Sequence, residues 1–227
     1  MTMAPVIDSH SDPVWKFDFQ ARSVFKSLTI KLESNAPLIG IIGCSGAGKS
    51  SFLQLLLGFT NDWQIHGSAQ CGPFVLFDTN ANVFRKPAER PFAWVPQQGR
   101  LLPHMTVLEN LCFGTDHYKT ADHAEFQELT EHLRLAALLE RSPTSLSGGE
   151  RQRVAIGRAW LSQGVFAMFD EPLSSIDQEH RQQIIQHLSQ HMQQRFRQSI
   201  MVSHNLNELK SLDADIWIFE DGELRRH

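Results

Sequence analysis

The run Gly43-Cys44-Ser45-Gly46-Ala47-Gly48-Lys49-Ser50 places three glycines, a lysine and a hydroxyl in the spacing G-x-x-x-x-G-K-S, with Ser51 next. Each type meets one requirement of phosphate binding. Glycines let the backbone curl until successive N–H groups point inward at phosphate oxygens. A helix that opens at Lys49 adds the partial positive charge of its N-terminus. The Lys49 ammonium suits β- and γ-phosphates, and the Ser50 hydroxyl is a hard oxygen ligand for Mg²⁺.

Two acids follow an apolar run further on, in Val165-Phe166-Ala167-Met168-Phe169-Asp170-Glu171. Asp170 is placed to hold Mg²⁺, directly or through water. Glu171 is placed to polarise a water attacking a γ-phosphate. Acids at such a turn also serve as helix caps. The pairing with the glycine-rich loop favours the chemical role and predicts a nucleotide and Mg²⁺ as ligands.

These residues need rigid supports. Leu38 to Ile42 is a continuously apolar run and reads as a buried strand leading into the loop. Lys49 to Leu57 reads as an apolar helix with Gly58 as its C-cap. Val14 to Gln20 and Leu28 to Glu33 alternate as half-buried strands, and further strands are expected at 73–77, 92–95, 165–169, 199–202 and 216–219. Thr106 to Glu109 and Ser147 to Glu150 have capping-box spacing, the second opening a helix to about Leu161. Ala121 to Leu139 and Asp177 to Arg197 read as helices. The alternation of helices and strands in the second half indicates a mainly parallel α/β core.

Composition limits the alternatives. The 227 residues, 41% hydrophobic, suffice for one sizeable core. A net charge of −4 gives no general basic balance, and no nucleic-acid partner is expected. The three cysteines, Cys44, Cys71 and Cys112, form no CxxC pair. His187 and His191 are spaced i, i+4, but a closed zinc site would need further ligands, and a solvated helix face is the simpler reading. Residues 1–13 carry neither a positive n-region nor an apolar h-region; a disordered lead-in is expected there, and a single domain over 14–227. No stretch approaches the roughly 18 apolar residues of a membrane span, so work at a membrane requires another chain as anchor.

Glycine-rich phosphate loops occur in kinases, GTPases, helicases and transporters. The discriminating run is Leu146-Ser147-Gly148-Gly149-Glu150-Arg151-Gln152-Arg153, continued by Val154 to Ala159. It resembles the LSGGQ-type signature of the ABC ATPase family. A capped helix start with two glycines also presents free N–H groups and a hydroxyl to an anion. The resemblance implies that Ser147, Gly148, Gly149 and Glu150 grip the γ-phosphate bound to a second protomer, so that an ATP-dependent homodimer, or a pair with another ABC ATPase, closes over two nucleotides. It implies a Q-loop glutamine at Gln97, contacting Mg²⁺ and the attacking water. It likewise implies a D-loop over Ser174 to Asp177 and a switch histidine at His204. Pro96 and Asn205 depart from the commoner aromatic and aspartate. Phe19 is the expected adenine-stacking residue by strand spacing, with Phe17 and Phe25 as rivals and core packing an equal alternative for each.

The implied fold is a phosphate-loop α/β core with an N-terminal antiparallel β portion around the adenine and a helical lobe over roughly 105–160. Residues 87–90 and 99–107 are similar to ATPases of bacterial importers for molybdate, sulfate and related solutes. That similarity implies separate transmembrane permease subunits, a solute-binding protein and a peripheral place on the cytoplasmic face of the inner membrane. The chain ends soon after its last predicted strand, so the C-terminal regulatory domain of many such importers, and feedback through it, are not expected. A non-transport ABC ATPase usually carries tandem cassettes or coiled-coil insertions, and a small-molecule kinase has no use for residues 146–150.

Overall fold

The computed structural model describes residues 15–115 and 124–227; the expected lead-in at 1–13 lies outside them. Alternation sets the first two strands. β1 (Trp15–Arg22) buries Trp15, Phe17, Phe19 and Ala21, and β2 (Ser27–Ser34) buries Leu28, Ile30 and Leu32. The two pair antiparallel along their whole length. β3 (Leu38–Ile42) leads into the glycine-rich loop, and α1 (Lys49–Leu57) leaves it, ending at Gly58 in the left-handed conformation that glycine adopts without steric cost.

Three antiparallel strands follow: β4 (Gln64–Cys71), β5 (Phe74–Asp78) and β6 (Val83–Phe84). Of these only β5 is anticipated by sequence. β4 pairs with all of β1, yet apart from Ile65 it buries only the small side chains of Ala69 and Cys71, which leave a faint pattern. β7 (Phe92–Val95) then starts the parallel half. α2 (Val107–Leu111) and α4 (Gly148–Leu161) both open on the capping boxes that the T-x-x-E and S-x-x-E spacings predict. β8 (Phe166–Asp170), α5 (Gln178–Arg195), β9 (Gln198–Val202), α6 (Leu206–Ser211) and β10 (Asp215–Glu220) complete the alternation. A last strand, β11 (Glu223–Arg226), was hidden because Leu224 is its only apolar residue; the Asp221-Gly222 turn folds it back on β10.

The helix expected over 121–139 is shorter. Residues 121–123 lie outside the described ones, and α3 (Ala124–His132) stops because Arg134 turns left-handed at φ 49°. The Arg153 guanidinium donates to the carbonyls of Leu133 and Arg134 at that break. A 3₁₀ turn, Ala136–Leu138, replaces the rest.

All strands join one sheet, in the order β6-β5-β4-β1-β2-β11-β10-β3-β9-β8-β7. The strands β10, β3, β9, β8 and β7 run parallel to one another, and the N-terminal strands pair antiparallel beside them. Period-two alternation divides the core. Phe166 and Met168 of β8 face α1 and the antiparallel strands, whereas Ala167 and Phe169 face α4, α5 and α6.

The histidines of α5 do not form a solvated face. His187 is buried against Trp160 and between His132 and His191, at 4.8, 4.8 and 4.9 Å between ring centroids, and neither of its nitrogens has a partner. Among the described residues no three His, Cys, Asp or Glu side chains are arranged to hold a metal ion. Burial first, then the neighbouring His132 and His191, push the His187 pKa down to about 4. The folded chain therefore binds fewer protons here than the unfolded chain, whose histidines titrate near ~6.5. Stability from this site is complete above that pH and is lost as pH falls towards 4, by on the order of 2 kcal/mol. His187→Phe removes the titration and two unpartnered buried nitrogens. Its melting temperature should match or exceed wild type at pH 7 and fall less between pH 6.5 and 4.5. Parallel melting curves for the two proteins across that range contradict the assignment.

Candidate functional site

The candidate residues converge because they end neighbouring parallel strands. β3, β9, β8 and β7 lie side by side, and their C-terminal ends lead into Gly43, Ser203-His204, Glu171 and Pro96-Gln97. The carboxyl edge of a parallel sheet is where such folds bind ligands.

The loop from Gly43 to Ser50 wraps the N-terminus of α1. A side chain at Gly43 would put its Cβ 2.2 Å from the carbonyl oxygen of Phe219, so only glycine passes there. Lys49 is buried, and its ammonium donates to the carbonyls of Gly43 and Cys44 at 2.7 and 2.9 Å. Ser45 and Gly46 are exposed, as is Cys44. The Ser50 hydroxyl donates to Asp170 Oδ1 at 3.1 Å. Burial raises the Asp170 carboxyl above the usual range, and the nearby Glu171 adds to this against the opposing Ser50 hydrogen bond and Lys49. A buried carboxylate that lacks enough positive charge, touching a serine hydroxyl, is a donor set that fits Mg²⁺.

Glu171 follows on a strained backbone, at φ 47°. Such a conformation in a non-glycine residue costs about 1 kcal/mol or more and is held only by surrounding structure. Its N–H donates to Val202 O, and its own carbonyl accepts from the Ser174 hydroxyl. The carboxylate so aimed accepts from Gln97 Nε2 at 3.1 Å and lies 3.6 Å from His204 Nδ1. His204 stands on a fixed base: the Ser203 hydroxyl donates to Glu208, and Asn205 caps α6 by accepting from the Asn207 N–H. Gln97, Glu171 and His204 thus form one cluster beside Lys49, Ser50 and Asp170. A carboxylate held between a carboxamide and an imidazole can orient a water and receive its proton.

Ser147, Gly148, Gly149 and Glu150 lie elsewhere. Ser147 caps α4, accepting from the Glu150 N–H at 3.2 Å and donating its own N–H to the Glu150 carboxylate at 2.7 Å. That backbone hydrogen bond, more than any other cause, keeps the Glu150 carboxyl below its usual range. Gly148 borders a cleft with Gln97 and Ser175, whereas Cys44 to Ala47 border a separate one with residues 26–28 and 219–222. Asp177 caps α5, accepting from the N–H and ring of His180. No described hydrogen bond or ion pair joins Ser147 to Glu150, or Asp177, to the phosphate loop.

Phe19 cannot stack on a base. It is 2% exposed, with its ring against Phe52 and Phe77 at 6.5 and 5.1 Å. Phe17 is likewise buried. Both alternate inward with Trp15 and Ala21, so the periodicity that marks the strand also consigns them to the core. Phe25 stands 92% exposed in the turn between β1 and β2, directly before the residues that border the phosphate-loop cleft.

The chain matches the ABC transporter family over residues 25–174. It belongs to that family. Among curated relatives, this cassette is 38% identical over 199 residues to the molybdenum import ATP-binding protein ModC of Haemophilus ducreyi, covering 87% of this chain and 55% of that one. It is 39% identical over 189 residues to ModC of Rhodopseudomonas palustris strain BisB18, covering 82% and 49%. The chain therefore spans about half the length of the curated relatives it matches. Among solved structures, the fold matches a dimeric ATP-binding cassette in a post-hydrolysis state bound to ADP and Pi, with TM-score 0.67, 23% identity and 94% and 97% of the two chains covered. It also matches a bacterial Atm1-family ABC exporter with ATP bound, at TM-score 0.73 and 23% identity over 99% and 40%.

Proposed function

We propose that the cassette is the ATP-binding and ATP-hydrolysing subunit of a bacterial importer for a small oxyanion, in the class of molybdate. The cluster of Gln97, Glu171 and His204 beside Lys49, Ser50 and Asp170 carries the reading. The backbone of Gly43 to Gly48 cradles the phosphates with Lys49 and Ser51. Ser50, Asp170 and Gln97 would hold Mg²⁺. When bound, the metal neutralises charge on the β- and γ-phosphate oxygens. Gln97 and His204 hold the Glu171 carboxylate, which takes the proton of the attacking water.

Ser147 to Gly149 present a capped helix start to a second copy, and Asp177 lies beside that contact. The separate clefts support a composite site: Gly148 and Cys44 to Ala47 border different ones, and no described hydrogen bond or ion pair joins the signature residues to the phosphate loop of the same chain. Among the described residues no helix is long and apolar enough to cross a membrane. In this reading permease subunits anchor the dimer to the cytoplasmic face of the inner membrane and receive solute from a solute-binding protein. Deleting the gene should abolish high-affinity uptake of one oxyanion from a panel of molybdate, tungstate and sulfate. Unchanged uptake of all three overturns the oxyanion assignment. Absence of Mg²⁺-dependent phosphate release from the assembled transporter overturns the ATPase.

The adenine contact passes to Phe25. Stacking of a base on an exposed aromatic is worth ~1–3 kcal/mol, so Phe25→Ala should weaken ATP binding by roughly 5- to 100-fold with kcat at saturation little changed. Phe19→Ala should lower the melting temperature instead. A Phe25→Ala protein with wild-type affinity for a fluorescent ATP analogue returns the contact to another residue.

A further inference from the structure

Gln97 owes its position to a turn. The Gly99 N–H donates to the Pro96 carbonyl at 3.1 Å, with Gln97 and Gln98 between. That carbonyl also accepts from the Nε2 of Gln152, a fully buried residue of α4, at 3.3 Å. Gly99 presses on the same place. Its φ is 53°, and a Cβ there would sit 2.8 Å from the Gln152 nitrogen and 2.9 Å from the carbonyl carbon of Arg151, both backbone atoms. Arg158, further along α4, donates to the Arg100 carbonyl at 2.6 Å. The turn that aims Gln97 at Glu171 is thus seated on the helix that Ser147 caps and Gly148 to Glu150 open.

The Gln152 carboxamide is a poor choice for stability alone. Its Oε1 is buried with no donor. A half-satisfied buried amide costs stability that an apolar side chain of similar shape avoids.

We propose that Gln152 is a positioning residue: through the Pro96 carbonyl it fixes Gln97 against Glu171 and ties that geometry to the signature end of α4. The proposal rests on the reading of Glu171 and Gln97 as hydrolytic machinery. It assigns Gln152 no contact with nucleotide or water.

Gln152→Met keeps length and shape and removes the hydrogen bond. In the assembled transporter it should lower kcat about tenfold, the scale of one lost coupling between neighbours, while the Kd for ATP and the melting temperature stay at or above wild type. Gln97→Ala should cost more. If Gln152 acts through Gln97, the double variant is no slower than Gln97→Ala alone. Gly99→Ala attacks the same seam from the other side, and it too should lower kcat without changing ATP affinity. Wild-type kcat in Gln152→Met overturns the proposal, as do losses that simply multiply in the double variant. A fall in melting temperature or ATP affinity that accounts for the lost rate shows an ordinary structural residue and also overturns it. A wild-type transporter that releases no phosphate fails the underlying reading, a result distinct from all of these.

Discussion

Glu171→Gln is expected to bind ATP as tightly as wild type and to hydrolyse it about 10²- to 10⁴-fold more slowly, a barrier roughly 3 to 5 kcal/mol higher. The carboxamide occupies the same space and accepts the same hydrogen bond from Gln97, which now reaches Glu171 at 3.1 Å. What is lost is a basic oxygen able to take a proton from water. The effect should fall on kcat, because nothing in the cradle of Gly43 to Ser50 changes. The φ of 47° at position 171 is as acceptable to glutamine as to glutamate, so the fold should be unaffected. Single-turnover phosphate release and equilibrium nucleotide binding separate the two steps. Wild-type turnover by the variant eliminates Glu171 as the general base and leaves Asp170 or a substrate-assisted route.

Residues with strong local signals were legible from sequence. The stretch from Leu38 to Gly58 combines a continuous apolar run, glycine punctuation and a helix closed by glycine, and it appears residue for residue. The helix at 148–161 was legible because Ser147 and Glu150 cap it reciprocally, a purely local device. β4 was not legible, because its burial comes from pairing along β1 and its inward residues are mostly small. The end of α3 depends on Arg153, a residue nineteen positions beyond Arg134 that takes the frayed carbonyls. Phe19 was misassigned for a similar reason. Counting along β1 cannot distinguish an aromatic that meets ligand from one that meets α1, and Phe52 of α1 decides the matter. The clustering of Gln97, Glu171 and His204 was anticipated only by resemblance. In physical terms it follows from the order β9-β8-β7, which no single segment encodes.

In the Glu171→Gln background, ATP should shift the protein from monomer to dimer, and a charge at Ser147 should abolish that shift. The expectation comes from the placement of the signature residues. Ser147 and Gly148 are exposed at the start of α4, and Gly148 borders a cleft distinct from the one bordered by Cys44 to Ala47. A helix start of this kind attracts an anion, and the γ-phosphate held by a second copy is the anion available. Ser147→Arg fills the space, but it also removes the oxygen that accepts from the Glu150 N–H, a loss worth about 1 kcal/mol of helix stability. Ser147→Asp separates the two effects. Aspartate is as good an N-cap as serine, so α4 keeps its start and the melting temperature should hold. Its negative charge meets the incoming phosphate, and the repulsion between like charges opposes closure. Both variants should therefore remain monomeric on sizing with saturating ATP, while each monomer binds nucleotide normally through its intact phosphate loop. Ser147→Asp that dimerises as readily as its parent would show that the γ-phosphate does not meet this helix, and the composite site would have to be abandoned.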